Sequence, residues 1–264
     1  MRVADLIPTV TGSYPKDFLQ LVKLVDVHQK NNGEDLVLQL WPAYQYSKNS
    51  HEGQLRKSGR PYFEHCISVA QLLAEWNMDM HTIVGGMLHD CIEDTNASYD
   101  EITKEFGEEV AELVDGVTKL GGVEFDSRKE KQAENLMKMF LSMAKDLRVV
   151  IIKFADRLHN MRTIEYLPLI KQRRIAVETR DVYSPLAHRL GMFQIKSELD
   201  DLVLNTLEPD AYKEIEKLLK STGGKRKKTL KEITEPIKQQ LGDHNITYNL
   251  KTRLKSHASI HYKM

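Results

Sequence analysis

Cys66 and Cys91 are the only cysteines in the 264 residues. They form no CxxC pair and no disulfide framework, which excludes a cystine-stapled scaffold and makes a reducing, cytoplasmic setting the expectation. Net charge is also missing, because 38 Lys and Arg residues cancel 38 Asp and Glu. No global attraction therefore draws the chain to nucleic acid or to an anionic membrane, and only a local basic patch can act. No apolar run approaches the roughly 18 residues that read as a membrane span. Arg2, Asp5 and Lys16 are scattered through the N-terminal stretch, which holds no signal-peptide core. Short-period repeats are absent and low complexity is slight. What is present is 41% hydrophobic and 29% charged residues, enough for a real core in one large domain, or in one domain with an appendage.

Apolar residues recur at three-to-four spacing along most of the chain and predict an all-α fold. Residues 1–16 read as a flexible lead-in broken by Pro8, Gly12 and Pro15. Helices are expected over 17–29, 34–47, 64–75, 79–93, 99–106, 108–117, 128–144, 148–163, 168–187, 194–207, 209–221 and 229–241. Trp41-Pro42 should kink or restart the second of these. Val149 to Ile152 alone would suit a buried strand, but Leu147, Val150, Ile151, Phe154, Leu158 and Met161 keep helical spacing. A polar, basic, Gly-containing loop, HEGQLRKSGRPY, fills 51–62, and Gly223-Gly224-Lys225-Arg226-Lys227-Lys228 reads as a flexible basic linker. The one strand signal is the alternation of Ile246, Tyr248 and Leu250.

The chemistry concentrates in MLHDCIEDT. Hard divalent cations take carboxylate and imidazole ligands at fixed geometry, and this segment supplies His89, Asp90, Glu93 and Asp94. On a helix His89 and Glu93 share a face, as do Asp90 and Asp94. The plain alternative is a solvated acidic helix end, yet carboxylates in a last turn face the negative end of the macrodipole unless a cation is near. In IIKFADRLHNMRT, Asp156, Asn160 and Thr163 line one stripe of a mostly apolar helix. A buried Asp156 needs a partner, either Arg157 in a structural salt bridge or a metal. His159 is expected off that stripe, as an ordinary partly exposed histidine. His65, opening a helix after the basic loop, is either structural or a ligand. Arg56-Lys57 is either a solvated loop or an anion contact. Cys66 and Cys91 read as small core residues, Met137, Met139 and Met143 as packing, and the basic run at 225–228 as a linker.

The order His65, His89-Asp90, Asp156 resembles the HD superfamily of metal phosphohydrolases. The segments RKSGRPYFEH, HDCIEDT, DGVTKL, EKQAENLMKM, IKFADRLHNMRT and SPLAHRLGMFQIKSELDDL narrow this. Over about 17–264 they resemble the hydrolase half of RelA/SpoT homologues, which make and destroy ppGpp and pppGpp. The resemblance implies an HD-type helical bundle over 17–207, a helical connector over 208–241 and, over 242–264, the first strand and helix of an incomplete α/β synthetase domain. It implies Mn2+-dependent removal of the 3′-diphosphate, with His65, His89, Asp90 and Asp156 as metal ligands and Glu93 and Asp94 acting on the attacking water. Arg56, Lys57 and Ser58 would hold the nucleotide, and Asn160 and Thr163 would lie near the ribose and 3′-phosphate, with Arg128 and Lys131 as further phosphate candidates. Synthetase activity is not expected, because the acidic strand and the rest of that pocket are not among these residues. Thr252 also stands where the family's pattern has Gly. The expected partner is the small-molecule substrate, without membrane or nucleic acid. Ribosome or regulatory-protein contacts would need other parts of a longer protein. The alternatives are a fragment of a bifunctional enzyme, a silent regulatory HD domain, or an HD hydrolase acting on other nucleotides.

Overall fold

The computed structural model describes residues 14–29, 33–119, 145–250, 252 and 255–264. The expected helix over 128–144 and the residues Arg128, Lys131, Met137, Met139 and Met143 lie outside them. The all-α expectation holds, since every regular element among the described residues is helical. None of the helices there is long and apolar enough to cross a membrane. The chain divides into two compact units, residues 1–167 and 168–264.

In the first unit α1 (Lys16–Gln29), α2 (Gly33–Ser50), α3 (Phe63–Glu75), α4 (Met80–Leu88), α5 (Cys91–Asp94), α6 (Tyr99–Phe106), α7 (Glu108–Lys119) and α8 (Leu147–Arg162) precede a short 3₁₀ turn, Ile164–Tyr166. The core lies where α3, α4 and α8 pack on one another, and Leu73, Ile83, Met87, Leu88, Ile152 and Phe154 are fully enclosed there. α3 stops at Asn77, whose φ of 58° places it in the left-handed region that Asn tolerates. α4 then starts at once on the N-cap Asp79, which accepts from Thr82 N at 3.0 Å. α3 and α4 approach closely at Gly86: a Cβ there would stand 2.1 Å from Leu73 Cδ1. Asp146 caps α8 by accepting from Arg148 N at 2.8 Å.

Three expectations for the helices change. α2 runs through Pro42 without restarting; the carbonyl that Pro42 leaves without a donor belongs to Leu38, an exposed residue that water reaches. The helix expected over 79–93 ends at Leu88 and resumes as α5 after a turn at His89-Asp90. His89 Nδ1 lies 2.8 Å from Gly86 O. The side chain thus donates to the carbonyl that the next backbone N–H of a continuing helix would use.

The second unit contains α9 (Leu169–Glu178), a π-helical turn (Thr179–Tyr183), α10 (Ser184–Arg189), α11 (Phe193–Leu207), α12 (Pro209–Ser221), α13 (Gly223–Asp243) and α14 (His257–His261). The third change is here: the segment expected as one helix over 168–187 carries the π turn just before Pro185, where a backbone donor is lost. Residues 223–228, expected to be a flexible linker, have helical backbone within α13, in keeping with the good helix propensity of Lys and Arg. Residues 246–250, expected to be a strand, form no ladder among the described residues. An alternating segment without a neighbouring edge has no partner for its backbone groups.

Candidate metal centre and adjoining cavity

The site lies within the first unit and draws on three places in the chain. α3 delivers His65, the turn between α4 and α5 delivers His89 and Asp90, and α8 delivers Asp156. Donor atoms of His65, His89 and Asp156 all fall within 4.8 Å of one another. His65 Nε2 is 3.3 Å from Asp156 Oδ1 and 3.6 Å from Asp90 Oδ2. His89 Nε2 is 3.0 Å from Asp90 Oδ2 and 4.0 Å from Asp156 Oδ1. Donors bound at roughly 2.1 Å to one ion are about 3.0–4.2 Å apart, so these separations need little adjustment. Both histidines are enclosed, and the two carboxylates nearly so.

The donor set fits a divalent cation on a second count. Among the described residues His89 Nε2 is a buried nitrogen without a hydrogen-bond partner, despite the carboxylate 3.0 Å away. Its Nδ1 must carry hydrogen to donate to Gly86 O, so in the neutral ring Nε2 presents a lone pair. A lone pair facing a carboxylate is favourable only with a cation between them. The same excess of negative charge governs the ionisation of these groups. Burial alone would lower the His89 imidazole, but Asp90 and Asp156 outweigh it and raise it. Burial would raise the Asp156 carboxyl, but Lys153, His65 and His89 hold it well below the usual range. Asp90 is likewise low, burial being outweighed by His89. At His65 burial wins and lowers the imidazole against the pull of Asp156.

Glu93 and Asp94 follow on α5. Partial burial raises the Glu93 carboxyl, with Lys153 opposing and Asp90, Asp94 and Asp156 adding to the rise. Tyr62 links the two acidic sets: its hydroxyl lies 2.8 Å from Asp90 Oδ2 and 3.0 Å from Asp94 Oδ2. Burial first, then those two carboxylates, push the phenol far up, so it remains a donor. Gln54 Nε2 donates to Asp94 O at 2.8 Å, while Gln54 Oε1 is 2.9 Å from His51 Nδ1.

The basic loop is tightly formed. Tyr62 N donates to Gln54 O, Arg56 N to Arg60 O and Gly59 N to Arg56 O, each at 2.9 Å. Gly59 takes φ +79°, which a side chain would resist. Arg56, Lys57 and Ser58 line a cavity of about 530 Å³ together with His65, Asn160 and Thr163. The five candidate substrate residues thus share one cavity, and His65 connects it to the metal centre. Arg56 donates through its guanidinium to Asn160 Oδ1, and Asn160 Nδ2 donates to Asp156 Oδ1 at 2.5 Å.

Four participants were not expected from the sequence. His159 is only partly exposed, and it faces the site: its Nδ1 is 2.8 Å from His65 Nδ1 and 3.2 Å from Arg56 Nη1. Burial, then His65 and Arg56, lower it to about 3, so it is neutral. Its position three residues after Asp156 was the available signal, because i and i+3 adjoin on a helix. Lys153, three residues before Asp156, pairs with it at 3.5 Å by the same spacing. Tyr62 and Gln54 fall in the segment read as a loop, where helical spacing offers no signal. Cys66 and Cys91 are buried and unpaired with each other, and burial pushes the Cys91 thiol up to about 12.

The HD domain family profile matches residues 43–193. The bifunctional (p)ppGpp synthase/hydrolase SpoT of Escherichia coli is 46% identical over 231 residues, which cover 88% of this chain and 33% of that protein. A guanosine-3′,5′-bis(diphosphate) 3′-pyrophosphohydrolase of Vibrio cholerae is 43% identical over 241 residues, covering 91% of the chain and 34% of the relative. A GTP pyrophosphokinase of Myxococcus xanthus is 41% identical over 260 residues, covering 97% and 32%. The chain spans about a third of the length of these relatives.

Proposed function

The chain belongs to the HD domain family, and from that premise we propose that it removes the 3′-diphosphate of ppGpp and pppGpp with Mn2+ as its ion. The observation that carries the reading is a buried His-His-Asp donor group opening, through His65, onto a cavity lined by Arg56, Lys57, Ser58, Asn160 and Thr163. The relatives named as 3′-pyrophosphohydrolases support the substrate. In this reading the domain over 17–207 is a cytoplasmic alarmone hydrolase of the stringent response.

His65, His89, Asp90 and Asp156 would hold the ion. A divalent ion bound there would supply Lewis acidity toward water and the diphosphate. Glu93, whose carboxyl is raised, accepts the proton of the attacking water. Asp94, held by Tyr62, orients that water. Water oxygen adds to the phosphorus next to the ribose, the 3′-oxygen leaves as the hydroxyl, and pyrophosphate is released with GDP or GTP. Arg56 presents a planar cation to the base and Lys57 a point charge to phosphate. Asn160 and Thr163 contact the ribose and the 3′-phosphate.

The test is incubation of the chain with ppGpp and Mn2+, with and without chelator, following pyrophosphate. Release with Mn2+ that chelator abolishes is expected, and its absence refutes the reading. Glu93→Ala is expected to keep Mn2+ affinity and lose turnover; equal loss of both contradicts the role given to Glu93. ATP-dependent formation of ppGpp is not expected.

A further inference from the structure

The two metal-facing histidines are oriented by different means. His89 gives its Nδ1 hydrogen to the backbone carbonyl of Gly86, 2.8 Å away, so the fold itself directs its lone pair. Beside its Nδ1, His65 has among the described residues another imidazole, that of His159 at 2.8 Å. Two facing ring nitrogens leave the proton's position open until a third group decides it. Arg56 does so. A guanidinium has donors only, and its Nη1 stands 3.2 Å from the same His159 Nδ1. That nitrogen must therefore accept, and its hydrogen must be on Nε2. His65 Nδ1, facing an acceptor, must donate, which leaves His65 Nε2 as a lone pair between Asp156 at 3.3 Å and Asp90 at 3.6 Å.

We propose that His159 is a positioning residue of the metal centre: its Nδ1 holds His65 in the tautomer that turns Nε2 to the ion. Hydrogen bonds of this outer kind fix ring orientation and raise ligand basicity, and their loss typically weakens metal binding about 10–100-fold. The inference rests on the metal-centre reading above but not on the identity of the nucleotide.

Its test is Mn2+ binding by calorimetry, with the metal alone as probe, on the wild type and on His159→Asn, His159→Gln and His159→Leu. The short Asn side chain puts its carbonyl oxygen near the Nδ1 position, whereas Gln reaches toward the Nε2 position. His159→Asn is therefore expected to bind within about threefold of the wild type, and His159→Gln and His159→Leu about 10–100-fold more weakly. Melting curves in chelator check that the variants are folded. If His159→Leu does not fold, the Asn and Gln variants decide alone. Equal affinities of Asn and Gln, whether both strong or both weak, overturn the proposal, because packing and not a placed acceptor would then be the role of His159. A wild-type chain that does not bind Mn2+ overturns the metal centre itself and this inference with it.

Discussion

Removing the divalent ion should lower the melting temperature of the first unit by an amount that metal occupancy sets. The donors come from α3, the His89-Asp90 turn and α8, and they converge to within 4.8 Å only in the folded chain. An ion bound to the folded state alone stabilises it by RT ln(1 + [L]/Kd), about 2.7 kcal/mol at a hundredfold excess over Kd. For a unit of this size each kcal/mol moves Tm by roughly 2–4 °C, so the expected shift is about 5–11 °C. The structure supplies the reason that the shift should be positive. Without an ion, the Asp90 and Asp156 carboxylates share one enclosed space beside His65 and His89, an excess of negative charge that a divalent cation offsets. Asp156→Asn removes one anionic donor and should shrink the shift by more than half, and its chelator-treated melt should also fall, because the buried pair with Lys153 is lost. The assay is differential scanning calorimetry across Mn2+ concentrations from chelator to millimolar. A wild-type Tm that stays flat, or an Asp156→Asn shift equal to that of the wild type, refutes the reasoning.

Two further outcomes concern the scaffold. Asp79 and Asp146 cap α4 and α8, and both carboxyls are lowered: at Asp79 the bonds from Thr82 and the charge of Arg148 outweigh burial, and at Asp146 the Arg148 bond leads. A depressed carboxyl contributes stability above its unfolded pKa of about 3.9 that is lost as pH falls through the lower folded value. Asn caps about as well, so Asp79→Asn/Asp146→Asn should trail the wild type in urea midpoint at pH 6, with the gap closing below about pH 4; a gap independent of pH contradicts the charge argument. Gly86→Ala sets a Cβ 2.1 Å from Leu73 Cδ1 in a closed core. Overpacking of about 1–3 kcal/mol, less about 1 kcal/mol of helix propensity, should give net destabilisation by chemical denaturation, and a midpoint at or above the wild type sinks the close-approach argument.

What the sequence by itself determined was the class of the fold and the types of donor. Three-to-four spacing of apolar residues is a local property, so the helical character of α1, α3, α6, α8 and α12 was legible to within a residue or two. The stripe of Asp156, Asn160 and Thr163 on α8 was equally legible, because all three follow from one helical period. Tertiary structure decided everything that depends on a partner far along the chain. The turn at His89-Asp90 arises where a side chain takes a backbone acceptor, an event that periodicity does not register. The bond from Tyr62 to Asp94 and the contact of Arg56 with His159 join residues 32 and 103 apart. Such pairs have no sequence signature, because the first exists only once the start of α3 meets α5 and the second only once the loop before α3 meets α8. For the same reason residues 246–250 keep their strand-like alternation without becoming a strand: a ladder requires a second edge, and local pattern cannot supply one. His159 lies between the two cases. Its spacing from Asp156 was visible, but its direction became meaningful only when α3 set His65 against it.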